Sequence, residues 1–450
     1  MSITNPVGTR QAATLPLRHV LPRLLRDPVN ALADFGRAAG GELVRINLGP
    51  IRPYLVSHPD HVQHVLRGNW TNYVRDGMFW KPLSRLSGDS IISDGPGWES
   101  SRKILQPLFT ARYVDSLAAE MAESIEEGID ALDRHTAQVI DVAEEMARIV
   151  NQAVIRVLFG NRVSPEKAER LAPAYATAAS SFAFRIFLPF VPDRVPLPGD
   201  RAFWDAAKTI DDVVYPLVRQ ARLEENDGRD IISALSRARS RDESGNRQMR
   251  DDLVSIYGAA AETTAMALTW LWPLLDAHPQ VAERLYAEID QVVGTGPVTP
   301  DHLLELRYLK MVLQELLRLY PSGWLFPRVA AADDEIAGIP IKAGSDLLIS
   351  PYVTHRLDEF WERPLEFDPE RFSPDVAERR HRYAYFPFGG GPHVCLGLHL
   401  FYVEAPLLLA TLLSRFRPRL VDPGPYQPFP AGSVRPRRKV EMTLHRREGR

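Results

Sequence analysis

The chain has 450 residues, of which 45% are hydrophobic and 25% charged, and its formal net charge is −3 at pH 7. This composition allows a large buried core, while the near-neutral charge gives no polybasic surface for nucleic acid and no acidic tail. Because the chain contains one cysteine, an internal disulfide, a four-cysteine zinc site and an iron–sulfur cluster are excluded.

The N-terminal segment lacks an apolar core, and we find no uncharged apolar run long enough to span a bilayer. We therefore expect a cytoplasmic protein without a membrane anchor. Most of the predicted elements are helical. Apolar residues recur at helical spacing in residues 117–158 and 251–275, and the apolar run at 396–413 begins like a buried helix. Short strands are predicted around a Gly49-Pro50 turn at residues 42–56, and again at 335–341 and 346–349.

Loops are predicted at residues 76–97, 188–199 and 421–432. No internal repeat or linker divides the chain. We therefore predict one helix-rich domain over residues 1–450, mainly α with a small β region. Residues 1–40 form a lead-in, and residues 41–450 form the main body.

The single cysteine, Cys395, follows three consecutive glycines in the stretch Phe386-Pro-Phe-Gly-Gly-Gly-Pro-His-Val-Cys395. Such a glycine-dense approach lets the backbone come close to a flat object. The predicted helix that follows places the sulfur near a helix N-terminus, where partial positive charge favours a thiolate. One thiolate can be the axial ligand of a haem iron or a catalytic nucleophile. The structural alternative is a small buried hydrophobe in a loop.

Glu315 and Arg318 are three residues apart on a predicted helix and face the same side. An exposed pair of this kind contributes little to stability. Their apolar neighbours favour burial, where the pair needs a further partner, and Arg371 is a candidate.

Glu262 and Thr263 lie among small residues in the long predicted helix at 251–275. The structural interpretation is a tight helix crossing in which threonine bonds to its own helix. The functional interpretation is a groove in which a molecule such as dioxygen meets proton donors. Near a separate helix start, Trp98 and Arg102 are four residues apart, and an arginine there suits an anionic carboxylate ligand.

In their order along the chain, these segments resemble the cytochrome P-450 family of haem-thiolate monooxygenases from about residue 42 onwards. The cysteine-loop pattern of that family is matched at Phe388, Gly391, His393, Cys395 and Gly397. The resemblance implies a cytochrome P-450 fold around a buried haem b, with Cys395 as the proximal iron ligand.

The same resemblance implies roles for the other candidate residues. Glu262 and Thr263 match the acid–alcohol pair that delivers protons during oxygen activation. The positions that hold the haem propionates are matched by Trp98, Arg102, Arg328 and His393. The structural triad of the family is matched by Glu315, Arg318 and Arg371.

The implied reaction inserts one oxygen atom of O2 into a C–H bond of an apolar small molecule. No segment is left for flavin or nicotinamide binding, so electrons are expected to come from NAD(P)H through ferredoxin reductase and ferredoxin. The enzyme itself is expected to be a monomer. Peroxide-driven or isomerising haem enzymes usually lack the acid–alcohol pair, so Glu262 and Thr263 argue against them. A haem sensor without catalytic activity remains open.

By resemblance, the substrate pocket is lined by apolar segments from five parts of the chain. The residues predicted to line it are Phe79, Ile91, Ile92, Phe182, Tyr257, Ala261, Trp324 and Leu325. The nearby Arg75, Arg85 and Arg185 are expected to point outward. A pocket with few polar anchors selects by shape and area, which favours a terpenoid of bacterial secondary metabolism. The alternative is a fatty-acyl or polyketide substrate, whose carboxylate or carrier group one of these arginines would hold.

Overall fold

The computed structural model describes residues 10–181, 185, 191–192, 194–224, 228–294 and 296–447. The described helices, in chain order, are α1 Leu17–Arg26, α2 Pro28–Ala38, α3 Pro59–Gln63, α4 Trp80–Ser87, α5 Pro96–Leu105, α6 Ala111–Asp115, α7 Ala118–Asp130, α8 Val142–Phe159, α9 Pro165–Ser181, α10 Asp200–Leu223, α11 Ile231–Ala238, α12 Glu243–Ala277, α13 Pro279–Val292, α14 Arg307–Leu319, α15 Pro351–Thr354, α16 Pro374–Ala377 and α17 Leu398–Arg415.

The strands are short and fall into one larger sheet and three small ones. They are β1 Ala13–Leu15, β2 Val44–Ile46, β3 Tyr54–Val56, β4 Tyr73–Val74, β5 Val139–Asp141, β6 Phe326–Ala330, β7 Asp334–Ile336, β8 Ile339–Ile341, β9 Asp346–Ile349, β10 Phe416–Leu420, β11 Pro428–Phe429, β12 Arg435–Pro436 and β13 Glu441–Arg446.

The larger sheet has the strand order β1-β2-β3-β9-β6-β4. Its β2 and β3 pair antiparallel across the predicted Gly49-Pro50 turn. Further along, β7 and β8 form a separate hairpin, whereas β9 joins the larger sheet between β3 and β6. The remaining sheets are β10-β13-β5 and the β11-β12 hairpin. The sheet therefore gathers strands from both ends of the chain, which local sequence patterns do not specify.

The long predicted helix is longer than expected and forms α12, which packs against α8 and α10 in the main core. The predicted helical region at 117–158 is two helices, α7 and α8, separated by β5. The strand forms there because β5 pairs with β13 near the C-terminus. This long-range pairing is invisible to helical periodicity.

Two of the predicted loops contain regular structure. The segment 76–97 includes α4, which begins at Trp80 and ends at Gly88 with φ 58°. Glycine suits that left-handed position, and a Cβ there would also lie 2.2 Å from Asp251. The segment 421–432 contains β11, which pairs with β12. Of the predicted loop at 188–199, residues 191–192 and 194–199 are described and contain no helix or strand.

The last helix, α17, lies in the core and is apolar on almost every side. Together with the preceding turn, Gly391–Arg415 is the one span within the described ranges with the length and hydropathy of a membrane helix. However, 72% of its apolar window is buried inside the protein. α17 is therefore a central core helix, and the cysteine loop lies at its N-terminal end.

Candidate active site

The loop before α17 is held by backbone hydrogen bonds that fix the position of Cys395. The Cys395 N–H donates to the Phe388 carbonyl at 2.9 Å, and the Gly389 N–H donates to the Phe386 carbonyl at 2.9 Å. α17 begins directly afterwards, with Gly397 as its N-cap. The sulfur therefore lies at a helix N-terminus, as the sequence predicts.

Glycine is required in this loop because side chains would not fit. A Cβ on Gly391, which has φ 66°, would lie 1.8 Å from the Leu66 carbonyl oxygen. A Cβ on Gly390 would lie 2.5 Å from the Tyr383 ring. The loop is thus packed against the backbone of a distant segment, with no room for larger residues.

The environment of the Cys395 thiol contains opposing electrostatic effects. Burial raises its pKa more than the backbone N–H of Gly397 and the guanidinium groups of Arg102 and Arg75 lower it, so the net shift is upward. The side chain nevertheless retains accessible surface. The thiol is therefore enclosed by protein but open on one side, with its cationic neighbours favouring the thiolate.

Two arginines bind the carbonyl groups of the cysteine loop. Arg102 on α5 donates from Nη1 to the Val394 carbonyl at 2.7 Å. Arg75, which follows β4, donates from Nη2 to the His393 carbonyl at 3.4 Å. Arg75 therefore points inward to the loop, and the expectation that it points outward is wrong. Its side chain is turned inward by bonds to the Ile91 and Ser93 carbonyls.

Arg328 on β6 is a third cation in this region and is 5% exposed. It donates to the Pro327 carbonyl at 2.7 Å, and its guanidinium lies 5.7 Å from the ring centre of Trp80, which Arg75 also approaches at 5.2 Å. Burial, together with the neighbouring Arg75, lowers the pKa of Arg328 to about 9. Burial likewise lowers the pKa of Arg75 to about 10.

His393 lies against Trp98, with ring centres 4.3 Å apart. Its Nε2 is 2.6 Å from Oδ1 of Asp94. Burial raises the pKa of Asp94, but contacts with His393 and with the backbone N–H of Arg75 outweigh it, so the net shift is downward. The predicted residues Trp98, Arg102, Arg328 and His393 are therefore brought to one region, with Asp94 added.

Glu262 lies on α12 opposite the loop that precedes β12. Burial raises its pKa, while the backbone N–H of Ser433 and the charge of Arg435 lower it. A Cβ on Gly432 would lie 3.4 Å from the Glu262 carboxylate. The acid is thus held against the C-terminal loop.

Thr263 donates its hydroxyl proton to the Ala259 carbonyl of its own helix at 2.7 Å. The carbonyl of Thr263 accepts a hydrogen bond from Ser322 at 2.7 Å. The hydrogen bond to its own helix that the structural interpretation predicts is therefore formed. The bond also fixes the orientation of the hydroxyl, and its oxygen lone pairs remain available as acceptors.

The predicted triad is assembled in the interior. Arg318 donates to Glu315 through two bonds of 2.7 and 2.8 Å, and both side chains are fully buried. Nε of Arg371 lies 3.4 Å from Glu315, which also accepts the Asp368 N–H at 2.9 Å. The buried charge of Glu315 is therefore compensated by the bidentate Arg318, the nearby Arg371 and one backbone N–H.

Residues predicted to line the pocket are brought together in two groups. Trp324 donates to the Ala431 carbonyl at 3.3 Å and packs in one apolar cluster with Phe79 and Leu325. The other group belongs to the main core cluster and contains Ile91, Ile92, Tyr257 and Ala261. Phe182 lies outside the described residues.

Tyr257 differs from its predicted position at the pocket surface. It is 2% exposed, donates from its hydroxyl to Asn151 on α8 at 2.9 Å, and packs on Tyr175 with ring centres 4.5 Å apart. Its place is the packed interface between α8, α9 and α12. Ala261, four residues on, shares this helix face, and helical periodicity could not show that α8 and α9 cover the tyrosine ring.

Arg85 and Arg185 are also buried, contrary to the expectation that they point outward. Arg85 on α4 donates to Asp200 at 2.9 Å, and Arg185 donates to the same carboxylate at 3.2 Å. The hydrogen bond from Arg185 lowers the pKa of Asp200 despite its burial. Both cations therefore already share a carboxylate at the start of α10.

Sequence reasoning missed several polar residues near the site. Glu404 on α17 is 1% exposed and hydrogen-bonded to Thr264, and burial raises its pKa to about 8. His355 and Asp94 were also missed. A lone acid inside the apolar run of α17 was a usable signal for Glu404, whereas Asp94 and His355 carry no local pattern.

A cytochrome P450 family model matches residues 20–444. Pentalenene oxygenase from Streptomyces avermitilis is 29% identical over 442 residues and covers 97% of both chains. Cyclooctat-9-en-7-ol 5-monooxygenase from Streptomyces melanosporofaciens is 32% identical over 422 residues, covering 93% of this chain and 90% of the relative.

The crystal structure of the cytochrome P450DA heme domain superposes with a TM-score of 0.87 at 22% identity, covering 98% of both chains. This likeness confirms the predicted fold class, mainly α with a small β region. The family match over nearly the whole length confirms the expected enzyme class, which depends on haem iron and O2. The chain therefore belongs to the cytochrome P450 family of monooxygenases.

Proposed function

We propose that Cys395 is the proximal iron ligand of a haem b whose propionates are held by Arg102, Arg328 and Arg75, and that the substrate is a terpenoid. The observation that carries the haem assignment is the convergence of these cations on the cysteine loop. The charge of Asp94 acts on Arg75 and Arg328, but within the described ranges no carboxylate forms a side-chain ion pair with any of the three arginines.

A buried guanidinium without an anionic partner is unfavourable. Arg328 is the sharpest case, because it is nearly inaccessible and donates to one backbone carbonyl. The carboxylates of a porphyrin would neutralise this group of cations. The glycines at 390 and 391 hold the loop in place against Tyr383 and Leu66. The residues present therefore fit a haem.

When bound, haem with a thiolate ligand supplies the activation of dioxygen. Thr263 would act as a hydrogen-bond acceptor, because its own proton is donated to the Ala259 carbonyl. Glu262 holds a proton more readily than an exposed acid, since burial raises its pKa. We assign Glu262 as the group that passes protons between the C-terminal loop and Thr263. The Phe388 carbonyl and the N-cap residue Gly397 fix the position of the cysteine loop. His393 packs against Trp98 at the edge of this loop.

The terpenoid assignment is supported by the activities for which the similar Streptomyces enzymes are named and by the chemistry of the predicted pocket. Phe79, Trp324 and Leu325 share an apolar cluster. Arg85 and Arg185, the candidate anchors for a fatty acid, are already bound to Asp200. A substrate with an apolar skeleton is therefore favoured over one with a carboxylate.

Electrons are proposed to reach the enzyme from NAD(P)H through a ferredoxin reductase and a ferredoxin. The docking face would be the one nearest Cys395, where α5 carries Arg102 and the exposed Lys103. These charges suit an anionic partner. We further propose that the whole chain forms one domain and acts as a cytoplasmic monomer.

The test is the spectrum of the reduced protein with carbon monoxide, followed by titration with terpenes, fatty acids and macrolides. We expect the red-shifted Soret band of thiolate ligation in the wild type and its loss in Cys395→Ser. A wild-type spectrum without that band refutes the iron ligand. Spin-state shifts with long-chain acids and none with terpenes refute the substrate class while leaving the haem assignment intact.

A further inference from the structure

The first helix, α1, exposes a row of leucines that the core does not use. Its inner side is formed by Val20, which is fully buried, and by the partly buried Leu24. Leu17, Leu21 and Leu25 are 37%, 42% and 77% exposed. Each residue turns a helix by about 100°. The leucines, spaced four apart, therefore form a stripe directly beside the buried face.

Basic residues border this stripe on its solvent side. Arg18 and Arg26 follow Leu17 and Leu25 by one residue, which places them about a quarter-turn further round the helix. Within the described residues, neither arginine forms an ion pair, whereas Arg23 on the other edge pairs with Asp34 at 3.2 Å. The first 26 residues contain no acidic residue, and the first one in the chain is Asp27. The region is therefore cationic although the whole chain is slightly acidic.

A second basic segment extends the same surface. Arg437 donates to the Arg26 carbonyl at 3.0 Å, which fixes the β11-β12 hairpin at the C-terminal end of α1. The exposed Phe429 of that hairpin lies 5.6 Å from the guanidinium groups of both Arg435 and Arg437. Between Asp422 and Glu441 the chain again contains no acidic residue. The hairpin therefore adds one exposed aromatic ring and further arginines to the surface at the C-terminal end of α1.

We propose that this surface, formed by the leucine stripe of α1 and the neighbouring β11-β12 hairpin, binds the surface of an anionic lipid bilayer. Apolar side chains flanked by arginines on a helix lying at the protein surface are the arrangement that binds the headgroup boundary of such a bilayer. The charge of the surface complements anionic lipid. Lys and Arg stems also bury apolar surface while their charges stay in water.

The position of α1 gives this contact a consequence for substrate supply. Val20 and Leu24 on its inner side pack in the cluster that contains Phe79, Trp324 and Leu325. A bilayer bound to the outer surface of α1 would therefore be separated from that apolar cluster by the helix itself. Apolar compounds partition into bilayers, so the surface would keep the enzyme where such compounds collect. The binding itself requires no substrate and stands apart from the substrate proposal.

The test uses the full-length, haem-loaded protein and sedimentation with vesicles of phosphatidylcholine alone or mixed with phosphatidylglycerol. We expect binding to the mixed vesicles at low salt and its weakening as salt rises. The double variant Leu21→Gln with Leu25→Gln should lower the partition coefficient at least tenfold. Arg18→Gln and Arg26→Gln should each lower it about fivefold on the mixed vesicles.

Leu304→Gln is the matched control, because Leu304 is 84% exposed on a different part of the surface. It should bind vesicles as the wild type does. All variants should keep the wild-type carbon monoxide spectrum, which reports intact folding around the haem. Absence of wild-type binding to the mixed vesicles, or equal binding by the Leu21→Gln, Leu25→Gln variant, overturns the proposal. It is also overturned if the wild type forms a dimer that this variant dissociates, since the stripe would then be a contact between two copies.

Discussion

His355 accepts the backbone N–H of Phe386, the residue that opens the cysteine-loop stretch, with a distance of 3.0 Å to Nε2. Its other ring nitrogen, Nδ1, lies 3.2 Å from the Arg318 carbonyl. Because Nε2 accepts, Nδ1 carries the proton and donates to that carbonyl. One neutral, fully buried imidazole therefore links the Glu315–Arg318 pair to the loop that carries Cys395.

Replacing His355 by phenylalanine should weaken both the fold and haem retention. The substitution leaves the Phe386 N–H and the Arg318 carbonyl without this partner, and each buried polar group left unpaired costs roughly 1–3 kcal/mol. Urea unfolding and the ratio of haem absorbance to protein absorbance measure the two effects. His61→Phe is the control, because His61 is also buried but its Nδ1 makes no hydrogen bond. Equal losses in both variants would contradict the linking role.

His355 should also make stability depend on pH. Burial, with the charges of Arg318 and Arg356, holds its pKa well below the usual value. An unfolded histidine takes up a proton near pH 6.5, which folded His355 does not. The contribution of this group to the free energy of unfolding therefore falls as pH drops below about 6.5, by up to about 1.4 kcal/mol per pH unit. Unfolding curves of wild type and His355→Phe should diverge at neutral pH and converge in acid.

Thr263→Ala should separate catalysis from folding. The variant should keep haem and substrate binding but divert reducing equivalents from product to hydrogen peroxide, because the acceptor at Oγ1 is lost. The ratio of product to NAD(P)H consumed measures this coupling. Thr269→Ala is a matched control on the same helix, since Thr269 donates to the Ala265 carbonyl at 2.8 Å. Wild-type coupling in Thr263→Ala, or equal uncoupling in both variants, would refute the role of Thr263.

Glu404→Gln should make the protein more stable in mild alkali. Burial raises the pKa of Glu404 to about 8, whereas an unfolded glutamate ionises near pH 4.3. Between these values the folded state holds a proton that the unfolded state releases, so stability falls as pH rises. The glutamine variant lacks this loss. Thermal unfolding at pH 5 and pH 8 should show a gain at pH 8, and the exposed Glu305→Gln should show none.

Asp200→Ala should change which ligands the enzyme accepts. Removing the carboxylate takes away the anion that Arg85 and Arg185 share, so long-chain fatty acids should bind more tightly than they bind the wild type. The spin-state shift on titration measures this, together with the expected loss of stability. Asp205→Ala on the same helix is the control, because its contact with Arg201 is exposed and 3.9 Å long. Equal fatty-acid binding by wild type and Asp200→Ala would contradict the claim that Asp200 keeps Arg85 and Arg185 from binding a carboxylate ligand.

Features that depend on neighbours along the chain could be predicted from the sequence. The periodicity around Thr263 predicted α12, and the spacing of Glu315 and Arg318 predicted one face of α14. The glycines before Cys395 predicted a tight loop followed by a helix. These predictions succeeded because helical geometry fixes which residues three or four apart lie together, whatever surrounds them.

The orientation of the long arginine side chains could not be predicted from the sequence and follows from the tertiary structure. Arg75 and Arg85 looked like solvated charges in the sequence, yet their partners lie at the cysteine loop and at Asp200. Tyr257 went to the core, and Leu25 stayed outside although its pattern resembles that of a buried helix face. The reason is physical: periodicity defines the faces of an element, but packing against distant segments decides which face is covered and which cation meets which anion.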